Sequence, residues 1–207
     1  FTTTVRYPDV LSPQFASWRT VAAQALVTGF AERQADGSIT VGCYLYDVFS
    51  EEVLVREGFN TEPRNWRRAA HKCADAVYSR LTGEAGYFDS RIVYVSETGP
   101  ATSRIKRLAV MDQDGANHRF LTNGQNLVLT PRFSANDQTV AYLSYAQNRP
   151  RIYSYDIASG QQRLIGDFPN MSFAPRFSPD GRQLAFSQSR AGNTDVYIMN
   201  SDGGNVR

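Results

Sequence analysis

The sequence predicts a small α/β domain followed by part of a β-propeller, an α+β region joined to an all-β one. Three observations predict it. Hydrophobic spacing is a mixture of helical and strand periods up to about residue 88, and becomes short strand-like runs from Arg91 onward. A four-residue unit, Pro131-Arg132-Phe133-Ser134, returns 44 positions later as Pro175-Arg176-Phe177-Ser178. The runs between these landmarks are aromatic and β-branched and are separated by turn residues such as Ser178-Pro179-Asp180-Gly181. A repeat of about 40–50 residues built from four short strands is the mark of a propeller blade.

The first domain, residues 1–88, reads in order. A short helical stretch spans Phe15–Ala23, and Gln24–Phe30 is strand-like. Ala35-Asp36-Gly37-Ser38 supplies the turn of a hairpin. The next run alternates, with Ile39, Val41, Cys43 and Leu45 on one face and Thr40, Gly42, Tyr44 and Tyr46 on the other. A further strand covers Val53–Arg56. Thr61-Glu62-Pro63 is a helix-start signal, with proline in the first turn. The helix behind it carries Trp66, Ala70, Cys73, Val77 and Leu81 as an apolar stripe, and Gly83 is placed to end it.

The second region, residues 89–207, divides into blades at about 91–130, 131–174 and 175–207. Val140-Ala141-Tyr142 returns as Leu184-Ala185-Phe186, and Met111-Asp112-Gln113-Asp114-Gly115 as Met199-Asn200-Ser201-Asp202-Gly203, with Asp156 midway. Ile92-Val93-Tyr94 precedes its counterpart by four extra residues, which places a longer loop at Glu97–Arg104. Residues 91–207 make about 2.7 blades, whereas closed propellers need about 4–8. The expectation is therefore a piece of a longer protein; a ring completed by several copies is the alternative.

Composition excludes several classes of function. Lys and Arg total 22 and Asp and Glu 20, a net charge of +2, with Lys72 and Lys106 the only lysines. So balanced a charge argues against an electrostatic nucleic-acid binder, including an RNA-binding role for the α/β domain. No apolar run reaches the length of a membrane-spanning helix. The N-terminal residues do not form a signal peptide.

No catalytic constellation emerges, and neither an enzyme nor a cofactor is expected. The two histidines, His71 and His118, read as surface residues. Asp112-x-Asp114-Gly115 reads as a tight turn, since it lacks the third acidic ligand and the closing glutamate of a calcium loop. No metal site is expected. Arg64, Arg67, Arg68 and Lys72 at the start of the second helix read as a solvated face beside Asp75, or as a surface for an acidic partner. Cys43 and Cys73 both lie on apolar faces of the first domain; they either pair or remain buried thiols.

Function is expected instead on a binding surface. Apolar residues precede each repeated proline: Leu127 and Leu129 in one unit, Met171 and Phe173 in the next. Repetition places them around the mouth of the channel, with Arg132 and Arg176 as polar anchors. An apolar patch rimmed by arginine suits protein binding; packing between blades is the other reading.

The units Pro175–Phe186 and Tyr197–Asn205 resemble TolB-type propeller repeats. Asn65–His71 through Arg80–Val95 resembles the passage from the TolB α/β domain into its propeller. Ala25–Gly29 and Lys106–Gly115 resemble the α-proteobacterial type. The resemblance implies a periplasmic protein of the Tol–Pal envelope system whose complete form carries a six-bladed propeller. It implies binding of the lipoprotein Pal on the loop face, with Met171, Ala174 and the Phe168–Arg176 loop matching the family's Pal-contacting loop. It also implies contact with TolA through an N-terminal segment preceding these residues. Similar repeats occur in prolyl-oligopeptidase-like serine peptidases, so the propeller of such an enzyme is the alternative; no Gly-x-Ser-x-Gly elbow occurs in the 207 residues.

Overall fold

In the computed structural model, which describes residues 10–135, 138–169 and 172–207, the chain folds as two units that divide between Ser90 and Arg91.

In the first unit, helix α1 spans Phe15–Thr20. It ends earlier than its composition suggests, because the chain turns back on itself in a Schellman arrangement. Ala23 N–H donates to Trp18 O and Ala22 N–H to Arg19 O, 3.2 and 3.0 Å, with Ala22 rather than a glycine at φ 56°. Three antiparallel strands follow, β1 (Ala25–Arg33), β2 (Ile39–Asp47) and β3 (Val53–Thr61), in that spatial order. At the first turn Asp36 Oδ1 accepts from the N–H and hydroxyl of Ser38, and Gly37 takes φ 86°. Strands β1 and β3 run further than their apolar residues alone require. Pairing with the full length of β2 carries Gly58 and Asn60, poor strand formers, into the ladder.

The central strand is covered on both faces, so Gly42 to Tyr46 is a continuous buried run. Tyr44 and Tyr46 pack with Val10, Leu26 and Val48. The Tyr46 hydroxyl donates to Val10 O at 3.0 Å. On the other face Cys43 is joined in a disulfide to Cys73 of helix α2 (Trp66–Thr82), with Cα atoms 6.0 Å apart.

Helix α2 follows a single 3-10 turn at Pro63–Asn65 and ends at Gly83, whose φ of 78° lets its N–H reach Ser79 O at 2.9 Å. Its buried side differs by one position from the expected stripe. Ala69 is the buried residue and Ala70 is exposed. Trp66 and Leu81 stand 53% and 56% exposed at the helix ends. The tie at Cys73 fixes the helix rotation, and the terminal turns lie outside the cover that three strands provide. Asp75 is no solvated face residue either: its carboxylate accepts from the N–H groups of Phe88 and Asp89 at 2.6 and 3.1 Å. With the ring cluster of Tyr78, Tyr87 and Phe88, it fastens the segment after the helix onto the helix.

Among the described residues the second unit contains three antiparallel sheets. The first is β4 (Arg91–Thr98), β5 (Ile105–Asp112) and β6 (Arg119–Phe120). The second is β7 (Val128–Phe133), β8 (Thr139–Ser144), β9 (Arg151–Asp156) and β10 (Gln162–Gly166). The third is β11 (Ser172–Phe177), β12 (Gln183–Arg190) and β13 (Asn193–Asn200). Strands β7 and β11 begin three residues before the repeat boundaries set at 131 and 175, since the repeated proline lies inside each strand.

Successive residues of β8 build two cores, as a strand buried on both faces must. Val140 and Tyr142 join Leu108, Val110, Leu121 and Val128 against the first sheet. Ala141 and Leu143 join Ile152, Ile165, Leu184 and Phe186 against the third. Each of the three sheets is a partial or complete blade, and only the second holds all four strands among the described residues.

Candidate protein-binding site

The expected site residues gather around a backbone irregularity that occurs twice. In β7, Leu129 pairs with Leu143 and Arg132 with Ala141, so Thr130 and Pro131 together face Tyr142 alone. In β11, Phe173 pairs with Ser187 and Arg176 with Ala185, so Ala174 and Pro175 together face Phe186 alone. Each is a β-bulge, which accommodates a proline that cannot donate to the ladder and re-aims the neighbouring side chains. Thr130 and Ala174 sit at φ 48° and 53°, a left-handed conformation that non-glycine residues adopt only when their surroundings hold them. Pro131 and Pro175 are buried.

Strands β7 and β11 run next to each other, which brings equivalent residues of the two repeats onto neighbouring strands. Arg132, Arg176 and Ala174 are exposed there. The Arg132 guanidinium donates to Pro131 O at 3.1 Å. The apolar residues divide between the two readings that the sequence permits. Leu127 is 39% exposed, and its carbonyl accepts from Tyr145 N–H at 2.9 Å. Leu129 is half-buried against the core between the second and third sheets, so it packs between blades rather than facing outward. Phe173 is half-buried beside Ser187. Met171 lies outside the described residues.

The loops at this end are braced by a cluster absent from the sequence-based site. Arg151 is buried; its Nε donates to Asp167 Oδ1 at 3.0 Å and its Nη1 to Gln147 Oε1 at 2.9 Å. Arg149 reaches the same carboxylate at 3.6 Å. Gln147 and Asn148, at φ 58° and 60°, form the tight connection between β8 and β9. Asp167 therefore ties that connection to the start of the loop leading into β11. Comparison of the repeats conceals this brace, because 44 residues after Arg151 stands Asp195.

Other candidates resolve into structure. Asp112 and Asp114 shape the turn after β5: Gly115 N–H donates to Asp112 O at 2.9 Å, and Ala116 N–H to Asp114 Oδ1 at 3.1 Å. Of the basic group on α2, Arg68 is engaged by Asp89 at 3.0 Å. Burial pushes the Tyr142 hydroxyl well above the ordinary tyrosine pKa, with Tyr153 and Tyr155 adding to the effect, so it stays neutral. Among the described residues no helix is long and apolar enough to cross a membrane.

Comparison with known proteins matches both units. Residues 78–207 match the TolB beta propeller domain and residues 5–54 the TolB amino-terminal domain. A relative in Zymomonas mobilis, Tol-Pal system protein TolB, is 64% identical over 161 residues, covering 78% of this chain and 35% of its own length. The protein of the same name from Rhizorhabdus wittichii is 65% identical over 146 residues, covering 70% and 33%. The crystal structure of TolB from Acinetobacter baumannii superposes with a TM-score of 0.84 at 33% identity, over 96% of this chain and 49% of that one. The chain thus spans about a third of the length of the curated relatives it matches. With repeats, bulges and amino-terminal sheet all accounted for, the chain belongs to the TolB family of Tol–Pal system proteins.

Proposed function

We propose that this chain is part of a non-enzymatic, periplasmic protein-binding scaffold of the Tol–Pal cell-envelope system, which recognises the lipoprotein Pal at the bulged end of its blades. In this reading the full-length protein links Pal to TolA, with TolA engaged by a segment outside these residues, and so serves outer-membrane integrity and cell division. The observation that carries it is the pair of bulges, which holds Arg132 and Arg176 exposed on neighbouring strands with Leu127, Phe173 and Ala174 beside them. Met171, in the same loop of the sequence, belongs to the proposed contact. Blades that fix these loops before the partner arrives leave little ordering cost on association. The Arg151–Asp167 brace serves the same end. No cofactor enters the proposal, and the names of the relatives support it.

The test is calorimetric titration of the periplasmic domain of Pal into the full-length protein and into the 207-residue chain. Arg132→Glu combined with Arg176→Glu, both at exposed positions, is expected to weaken binding by about tenfold or more while leaving the unfolding transition in place. Absence of binding by the folded full-length protein, or affinity indifferent to both substitutions, overturns the proposal.

A further inference from the structure

The rim strand of the amino-terminal sheet has an outer edge left unpaired among the described residues. Strand β3 pairs with β2 alone among the described residues. Its register slips once, at Leu54, between the pairs Leu45–Val55 and Tyr46–Val53. From Val55 to Thr61 the pairing is regular and no proline interrupts it. Outward-pointing amides and carbonyls along such a strand are a template for another strand.

Register sorts the side chains beside this edge. Glu57 pairs with Cys43, which marks the face toward α2, so Phe59 and Thr61 share that face. Arg56 lies on the opposite face, its guanidinium 5.9 Å from the centre of the Tyr44 ring. On the helix side a groove of about 410 Å³ follows the strand, lined by Gly58 to Thr61 and by Arg68, Ala69 and Lys72. Four successive strand residues line it, so it opens on the edge itself. Lys72 Nζ stands 5.8 Å from the centre of the Phe59 ring. Arg64 is paired with Glu62 and Arg68 with Asp89, whereas Arg56 and Lys72 have no carboxylate partner among the described residues.

We propose that the β3 edge receives an extended acidic peptide segment as a fourth strand. Two cations on opposite faces of one strand define the pattern it takes. A carboxylate opposite Arg56 and a second opposite Phe59, within reach of Lys72, fall three residues apart on opposite faces of the incoming strand. The residue opposite Glu57 is neutral or basic, since like charges directly across a ladder repel. Main-chain hydrogen bonds supply affinity, and the two ion pairs select sequence and register. This proposal is independent of the Pal reading, because it uses a different unit of the chain.

The probe is a blocked ten-residue peptide of alternating threonine and valine with aspartate at its fourth and seventh positions. Fluorescence anisotropy measures its affinity for the 207-residue chain and for the full-length protein, and hydrogen exchange follows the amides of Val55–Thr61. Saturable binding with slowed exchange there is expected. Each exposed ion pair is worth a factor of about two to five, so a peptide with lysines in place of the aspartates binds more weakly by about tenfold. Arg56→Glu with Lys72→Glu, both exposed, inverts that preference. The lysine peptide tests the same point on unaltered protein should the double variant misfold. The proposal is overturned by no binding up to about 1 mM, by equal affinity for both peptides, or by protection elsewhere. It is also overturned by edge-to-edge dimers in sedimentation, or by β3 amides already protected in the full-length protein without peptide.

Discussion

Reducing the Cys43–Cys73 bond should selectively loosen the first unit, by an amount that the chain separation fixes. The two cysteines are 30 residues apart in sequence. Closing a loop of that length removes about 12 cal/mol/K of entropy from the unfolded chain, about 3.6 kcal/mol at 25 °C. With a urea slope of about 1.2 kcal/mol/M for a unit of this size, the unfolding midpoint is expected to fall by about 3 M on reduction. Trp18 and Trp66 are the chain's two tryptophans and both belong to this unit, so tryptophan fluorescence reports its unfolding directly. Cys43→Ala with Cys73→Ala should reproduce the loss and add a smaller cost for the volume removed at Cys43, which is buried. Identical urea midpoints with and without reductant, or two titratable thiols in the native oxidised protein, would refute the reasoning.

Asp75→Ala removes the acceptor for the Phe88 and Asp89 N–H groups. It is expected to cost about 1.5–3 kcal/mol, seen as faster hydrogen exchange at both amides. Phe186→Ala empties a buried site where the ring stacks on Phe168 at 4.7 Å and Tyr197 at 5.8 Å. A loss of about 3–5 kcal/mol in urea unfolding of the second unit, followed by exchange at core amides such as Leu184, is the expected result. Acid should weaken both units. Backbone N–H groups of Ser50 and Ser159 hold Asp47 and Asp156 below the usual carboxylate range, and the Ser178 hydroxyl does so for Asp180. These groups bind fewer protons folded than unfolded, so their contribution is complete above the unfolded value of about 3.9 and is lost as pH falls through the folded values. Urea midpoints at pH 6 and pH 3 measure the loss. Replacing the three aspartates by asparagine should flatten the dependence.

Much of the fold was legible because local chemistry repeats. The Asp-Gly turn at Gly37 and the stop at Gly83 each depend on residues within a few positions of one another, and the 44-residue period shows because whole local units recur. The repeat marked β8 as an equivalent of β12, but that both of its faces are buried is decided by the neighbouring sheets that cover them. The candidate site was only half legible. Its prolines and arginines stand out by repetition, but the left-handed backbone at Thr130 and Ala174 does not, because neither residue type favours that conformation. Leu129 and Leu127 look alike in sequence, and their separation into packed and exposed residues depends on which sheet lies opposite.

By itself the sequence determined two regions, an amino-terminal sheet with its helix and the start of a propeller, through periodicity and turn residues that act over one or two turns of chain. Only the tertiary structure decided that Cys43 meets Cys73, that Asp75 captures the segment after its helix, and that Asp167 braces Arg151. Those partners lie 13 to 30 residues apart, and their meeting depends on how whole elements pack. Side-chain pairing at that range leaves no period in the sequence, since one packing angle or one bulge changes which residues face each other.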